Sequence, residues 1–169
     1  TAGAFSAGNV IVATGGLSYP ETGCTGDGYA WAKACGHRVV KPEAALVPVK
    51  LNDAWTAEVS NFNLKNVRIS LCVDGKKVDE RFGEAFFTRA GIGGPIILDM
   101  SSRIRDELKK GAVKLLLDLK PAVATELFDK RLQRELAEQS NLEFGKSLGG
   151  LLPRDMIPVF LRLVEIGRA

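Results

Sequence analysis

Residues 9–13 form the first apolar run of the chain, Asn-Val-Ile-Val-Ala, and Thr14, Gly15 and Gly16 follow it directly. A short apolar run bounded by breakers is typical of a buried β-strand. Residues 17–27 contain Pro20, Gly23 and Gly26 and therefore predict a loop. The chain is thus expected to open with a strand and an ordered loop.

A helix is predicted after this loop. Thr25 is a candidate N-cap, the helix should run to about Ala34, and Gly36 is placed to end it in the left-handed conformation. Residues 37–40, His-Arg-Val-Val, predict a second strand.

The middle of the chain, from 44 to 118, is predicted to be β-rich. In residues 67–73 the apolar side chains alternate, so they share one face, and Asp74-Gly75 supplies a tight turn into an antiparallel partner. A helix is expected at about 97–109. The predicted strands are 46–51, 67–73, 77–82, 85–88 and 113–118.

The last fifty residues have a helical pattern. Phe128, Leu132 and Leu136 recur every four residues and predict an apolar, core-facing stripe. A second helix is expected after Pro153, with Asp155 as a possible cap and Pro158 in the first turn. We therefore divide the chain into 1–43, 44–118 and 119–169, and expect an α+β fold.

Composition and charge exclude several classes of protein. The hydrophobic fraction of 46% and the charged fraction of 25% are those of a folded globular protein. A net charge of +3 with interleaved signs and 7% aromatic residues argues against a nucleic-acid partner, and the lack of a long apolar run argues against a membrane span. Three cysteines without metal-ligand spacing predict neither a disulfide framework nor a metal site, and fit a reducing cytoplasm.

Glycines directly after a buried strand let the backbone approach a ligand, and dinucleotides bind at the carboxyl ends of such strands. On Thr14, Gly15 and Gly16 alone, a simple tight turn is the more frequent explanation. The longer string at 13–29 is more specific, because a glycine-rich loop there leads into a helix N-terminus, which attracts anions.

That string, A-T-G-G-x-S-Y-P-x-T-G-x-T-G-D-G-Y, resembles the bacterial conserved flavoproteins related to aminoacetone oxidase, a family of NAD(P)/FAD-dependent oxidoreductases. Further matching elements are spread over the chain: Gly36-His37, Ala45-Leu-Val-Pro48, residues 83–99 and Leu151-Leu-Pro153.

The resemblance implies a fold and a cofactor. Residues 1–43 would be the strand-loop-helix edge of a Rossmann-type FAD domain, followed by a barrel-like antiparallel insert and a helical subdomain. The substrate would be a small molecule, with NAD(P)H an open second partner. The implied cofactor-binding residues lie along the loop: Ala13, Thr14, Gly15, Gly16, Thr22, Gly23 and Asp27.

The sequence also departs from the family pattern. Cys24 replaces the usual Ser and Arg89 the usual His, so substrate roles do not transfer to those positions. The pyrophosphate-binding G-x-G-x-x-G and the C-terminal flavin-binding stretch are not found in these residues. We therefore expect an internal piece of a longer enzyme that is inactive alone, does not retain FAD, and can self-associate through apolar surface.

Other readings of single residues stay open. His37, the single histidine, is more often structural at such a helix end, and Asp27 suits either a ribose contact or the first turn of a helix. The alternative function is a non-catalytic binding module whose glycine loop is purely structural.

Overall fold

The computed structural model describes residues 3–165 and divides the chain into two compact units, Thr1–Glu43 and Ala44–Ala169. The first unit contains a 3₁₀ turn, Pro20–Thr22, and one helix, α1, Asp27–Ala34. The rest of its described residues are irregular.

Helix α1 ends as predicted but begins differently. Its N-cap is Gly26, at φ 85°, and no side chain caps the helix, so the proposed Thr25 cap is wrong. At the other end Gly36 has φ 84°, its N–H donates to the Lys33 carbonyl at 3.0 Å, and the His37 N–H donates to the Ala32 carbonyl at 2.9 Å. These are the two bonds of a Schellman motif, which confirms Gly36 as the helix stop.

The two strands predicted in the first unit, at 9–13 and 37–40, do not form. Ile11 is 91% exposed and Val40 is 78% exposed. A strand exists only through hydrogen bonds to a neighbour, and within residues 3–43 no segment pairs with either run. The structure of residues 3–43 therefore contains the expected loop and helix but not the expected strand.

The second unit is built on a five-stranded antiparallel half-barrel sheet, and this confirms the predicted α+β class with a barrel-like insert. The strand order is β1-β4-β3-β2-β5. The strands are β1 Val49–Lys50, β2 Asn63–Val73, β3 Lys76–Thr88, β4 Gly91–Gly93 and β5 Val113–Asp118.

The predicted hairpin is present at the centre of this sheet. Val73 pairs with Lys76, and the turn residues Asp74 and Gly75 have φ 48° and 81°, the left-handed values that a two-residue hairpin turn requires. Strand β3 is a single strand where two were predicted, because Gly83, at φ 154°, continues the pairing between them.

Strand β2 is bulged on the side that faces β3. The pairing moves from Leu64↔Ala85 to Val67↔Gly83, so Lys65 and Asn66 fall outside the ladder. Asn66 has φ 54°, a left-handed conformation that asparagine tolerates better than most residues. The bulge therefore interrupts the strand locally without ending it.

Helix α2, Pro95–Leu108, packs on the sheet and forms the core with it. Ile97 and Met100 have no exposed surface, and neither do Ile69 and Leu71 of β2. Burying a side chain of this size contributes about 1.5–3 kcal/mol, so this contact stabilises the unit substantially.

The C-terminal helices are α3 Thr125–Glu138, α4 Phe144–Ser147 and α5 Ile157–Leu163. Pro158 lies in the first turn of α5 as predicted, whereas Asp155 makes no side-chain cap. Val159 of α5 is buried in the same core as the sheet. The stripe of Phe128, Leu132 and Leu136 is only half-buried, so α3 covers the core less completely than the periodicity predicted.

Candidate functional site

The glycine loop of the first unit is closed by its own hydrogen bonds. Tyr19, at φ 56°, presents its carbonyl to Thr22, whose N–H donates at 2.9 Å and whose Oγ1 donates at 2.7 Å. The Gly23 N–H donates to the Pro20 carbonyl at 3.0 Å. The Thr22 hydroxyl is thus engaged within the loop.

Glycines in the loop and at the start of α1 pack closely against neighbouring side chains. A Cβ on Gly15, which has φ 72°, would lie 2.7 Å from Cys24 Sγ, and a Cβ on Gly28 would lie 2.5 Å from Thr14 Oγ1. A Cβ on Gly16 would meet the Tyr29 hydroxyl at 3.1 Å. The structure thereby brings Thr14 and Gly16 near the first turn of α1 and Gly15 near Cys24, and the tight-turn explanation accounts for these glycines without a ligand.

The same loop is open to solvent. None of the described residues from 3 to 48 is buried, and a Cβ added to Gly23 would meet nothing within 4 Å. Among the predicted cofactor-binding residues Thr14 and Gly16 are half-buried, whereas the others are exposed: Ala13, Gly15, Thr22, Gly23 and Asp27. An exposed backbone that carries small residues fits a flat ligand such as FAD, and the contact itself stays a prediction.

Asp27 is the first residue of α1 and is exposed. A carboxylate in this position is favoured by the helix dipole. The position is equally compatible with a ribose contact, so both readings of Asp27 stand.

A groove of about 480 Å³ lies in the second unit between the two edge strands of the half-barrel. Val49 to Leu51 line one side and Val113 to Leu117 of β5 line the other. Its floor includes Ile69 and Phe87, and its apolar lining offers few groups for acid or base catalysis. Within residues 3–165 there is also no cluster of His, Cys, Asp and Glu that could hold a metal ion.

Glu80 is the centre of a charged network on β2 and β3. It accepts hydrogen bonds from Lys77 Nζ and Ser70 Oγ, each at 2.9 Å, and Arg68 Nε lies 3.5 Å from its second oxygen. The hydrogen bonds from Lys77, and then from Ser70, lower the pKa of the Glu80 carboxyl from its ordinary value. Because the Glu80 carboxylate is already paired with Lys77 and Arg68, we interpret these contacts as structural.

Arg81 forms a second pair of contacts nearby. Its Nη1 lies 2.6 Å from Asp79 Oδ1 and its Nε lies 3.0 Å from Asp99 Oδ2. The hydrogen bond to Asp99 and the charge of Asp79 raise the pKa of this guanidinium. Asp99 belongs to α2, so the pair joins the helix to β3.

A second, smaller cleft of about 120 Å³ lies beside the bulge of β2. Lys65 on the bulge and Lys120 after β5 both line it, together with Phe62 and Pro153. Sequence reasoning missed this pair, because the two lysines are distant along the chain and neither belongs to a motif. We name it the lysine cleft.

In the part of the chain that the structure describes, we find no helix with the length and apolar character that a membrane crossing needs.

Comparison with known proteins identifies the second unit. Residues 43–168 match the family model described as HI0933-like protein barrel and H2TH domain. The ribosomal RNA dihydrouridine synthase of Haemophilus influenzae is 38% identical over 96 residues, which are 56% of this chain and 23% of that protein. The protein of the same name from Escherichia coli is 31% identical over 93 residues, 55% of this chain and 23% of that protein.

The chain therefore spans about a quarter of the length of the curated relatives it matches. The matched family is of the flavoprotein type, as the resemblance of the loop implied, and the antiparallel half-barrel is the barrel of its description. On this evidence the chain belongs to the HI0933-like family of flavoprotein-type oxidoreductases, and residues 43–168 are its barrel and H2TH domain.

Proposed function

We propose that this chain is the insert domain of an FAD-dependent oxidoreductase, preceded by a loop that faces the flavin, and that the enzyme reduces uridine in ribosomal RNA. The observation that carries the substrate is the identity of 38% to a relative named for that reaction. The chain contributes part of the enzyme and is inactive alone.

The support for FAD comes from the family and from the loop. Thr14, Gly15 and Gly16 would hold the cofactor through backbone atoms, and Gly23 leaves open space beside them. Thr22 positions this backbone through its hydrogen bonds to Tyr19. FAD supplies the electron-transfer chemistry, and the residues of the loop supply position.

Conversion of uridine to dihydrouridine adds one hydride and one proton across the C5=C6 bond of the base. The two electrons come from outside the RNA, so the reaction needs a reductant, which we propose to be NAD(P)H acting through the flavin. A ribosomal RNA substrate departs from the expectation, drawn from charge and composition, that no nucleic acid is a partner, and it is consistent with the expected cytoplasmic location.

A second candidate is oxidation of a small amine, in which nucleic acid takes no part. The observation behind it is the string at 13–29, which produced the resemblance to flavoproteins related to aminoacetone oxidase, whereas the names of the two relatives above do not include that activity. In that reaction the substrate would be oxidised and FAD would supply the electron acceptor, so electrons would flow in the opposite direction.

An exchange of segments tests the proposal. The corresponding segment of the Haemophilus influenzae relative is replaced by residues 3–165 of this chain, so that the loop and the insert are exchanged together, and the hybrid is expressed in Escherichia coli lacking its own protein of that name. We expect dihydrouridine to reappear in ribosomal RNA, measured by mass spectrometry of nucleosides. The hybrid with its own native segment is the positive control.

A flavin-loaded hybrid that forms no dihydrouridine yet oxidises small amines would establish the second candidate. A hybrid that folds and binds no flavin would support the non-catalytic module instead, provided that the control retains its flavin.

A further inference from the structure

We propose that the lysine cleft binds the phosphate backbone of RNA, with Lys65 and Lys120 as its two cationic contacts. The choice of RNA as the ligand rests on the proposed function, and the geometry of the cleft stands independently of it.

The bulge of β2 presents the first lysine. Lys65 and Asn66 lie outside the β2–β3 ladder, between two regularly paired stretches of β2, and both residues are exposed. Bulges are frequent beside functional sites, where they redirect a side chain. The bulge therefore fixes the backbone position from which the Lys65 side chain extends.

The second lysine is held by the segment that leaves β5. The Lys120 N–H donates to Asp118 Oδ1 at 2.9 Å, and Arg68 Nη2 donates to the Pro121 carbonyl at 3.4 Å. Both bonds hold the backbone of this segment and leave the Lys120 side chain exposed. The two lysines thus reach one cleft from separately fixed elements.

No carboxylate of the described residues lines the lysine cleft, although the Asp118 carboxylate accepts the backbone N–H of Lys120 beside it. Among the described residues neither Lys65 nor Lys120 forms an ion pair, and no Asp or Glu lines the cleft. Other lysines of the unit do have acidic partners, such as Lys77 with Glu80 and Lys110 with Glu107. Two lysines without a carboxylate between them favour an anionic ligand.

The size of the cleft indicates which part of the RNA it would contact. Its 120 Å³ is well below the roughly 300–1,000 Å³ of small-molecule sites. Contacts to phosphates orient a nucleic acid and carry most of the salt dependence of binding, whereas base readout needs a larger surface. A shallow cleft with two ammonium groups is suited to the backbone, and the half-buried ring of Phe62 adds an apolar wall.

Charge reversal tests the inference. We would compare the chain with Lys65→Glu/Lys120→Glu, measuring binding of a fluorescently labelled ribosomal RNA hairpin by anisotropy at several salt concentrations. We expect at least tenfold weaker binding and a salt slope reduced by roughly 1.4–1.8, since each of the two phosphate contacts contributes about 0.7–0.9. The variant Lys65→Gln/Lys120→Gln removes the two positive charges without adding negative ones. It should also weaken RNA binding and reduce the salt slope.

The matched control is Lys76→Glu/Lys130→Glu. Both residues are exposed and lie away from the cleft, and the variant has the same change in net charge. If it weakens binding as much as the cleft variant, or if the unaltered chain shows no salt-dependent binding of RNA, the inference is overturned.

The hybrid enzyme separates this inference from the proposed function. The hybrid can make dihydrouridine, and its Lys65→Glu/Lys120→Glu variant can make an equal amount. In that case the proposed function is supported, and the inference that the lysine cleft binds RNA is overturned. If the hybrid makes none while the anisotropy still depends on the two lysines, the proposed function fails and the cleft stands.

Discussion

Trp55 packs edge-on against Phe87, with ring centroids 5.3 Å apart and ring planes at 70°. Phe87 is 2% exposed, whereas its neighbour Phe86 on the same strand is 37% exposed because it points to the other face. The Phe87→Ala variant should lose about 3–5 kcal/mol of unfolding free energy, since a buried phenyl ring leaves a cavity. Urea unfolding followed by tryptophan fluorescence measures it.

Phe86→Ala is the control for this prediction, since it removes the same atoms from a half-exposed position. Equal losses for the two variants would contradict the assignment of Phe87 to the core.

Gly94 is the N-cap of α2 and has φ 102°. An added Cβ would lie 2.7 Å from Ala85 Cα, so backbone would have to move. The Gly94→Ala variant should be destabilised by about 2 kcal/mol or more, from strain and overlap together. Thermal unfolding provides the measurement.

The comparison variant is Gly149→Ala, where nothing lies within 4 Å of the added methyl group. It should remain within about 0.5 kcal/mol of the unaltered chain. A loss there as large as at Gly94 would refute the explanation by close approach.

Glu80 should make the stability depend on pH. Its pKa is lowered in the folded state, so its contribution is present above the unfolded value near 4.5 and is lost as the pH falls through the folded value. The Glu80→Gln variant should therefore be less stable than the unaltered chain at pH 7 and nearly equal to it at an acidic pH where the Glu80 carboxyl is protonated in both the folded and the unfolded state.

Urea unfolding at both pH values measures the effect of Glu80. Glu138→Gln is the control, since Glu138 forms no hydrogen bond or ion pair among the residues described, and it should show no such dependence. A difference at Glu80 that is unchanged at low pH would rule out the charged network as its origin.

Thr14 and Gly28 should be coupled. Alanine for glycine in a helix is normally favourable by roughly 0.5–1 kcal/mol, but here the added Cβ meets Thr14 Oγ1. Gly28→Ala should increase hydrogen exchange of the α1 amides, and adding Thr14→Ala should reverse the increase. An unchanged exchange rate in Gly28→Ala would exclude this contact.

FAD should not stay with the chain alone, because these residues lack the glycine motif that holds its pyrophosphate. After incubation with FAD and gel filtration the protein should be colourless, with no flavin absorption near the protein peak. Stoichiometric yellow FAD in that peak would refute the prediction.

The central hairpin could be predicted because the residues that determine it are close together in the sequence. Val67, Ile69 and Leu71 alternate with polar residues, and Asp74-Gly75 accepts the left-handed turn, so pattern and turn agree. The bulge at Asn66 was not predictable, since its position depends on which residues of β3 lie opposite. Strand β4 was missed because Gly91–Gly93 is glycine-rich and is held in the sheet by its partners alone.

The two candidate sites also differ in whether local sequence was enough to predict them. The glycine loop was found from a contiguous string, although the strand expected before it has no partner within residues 3–43. The lysine cleft could not be predicted from the sequence, because its two lysines are far apart along the chain and come together only through the pairing of β2 with β5.

The order of strands in the half-barrel has a consequence for how the second unit folds. Its central hairpin closes through a two-residue turn, whereas both outer strands pair with partners from beyond a long stretch of chain. Closing a long loop takes more conformational entropy, and such contacts form late. We therefore expect the hairpin to form first and the two outer strands of the sheet to pair last.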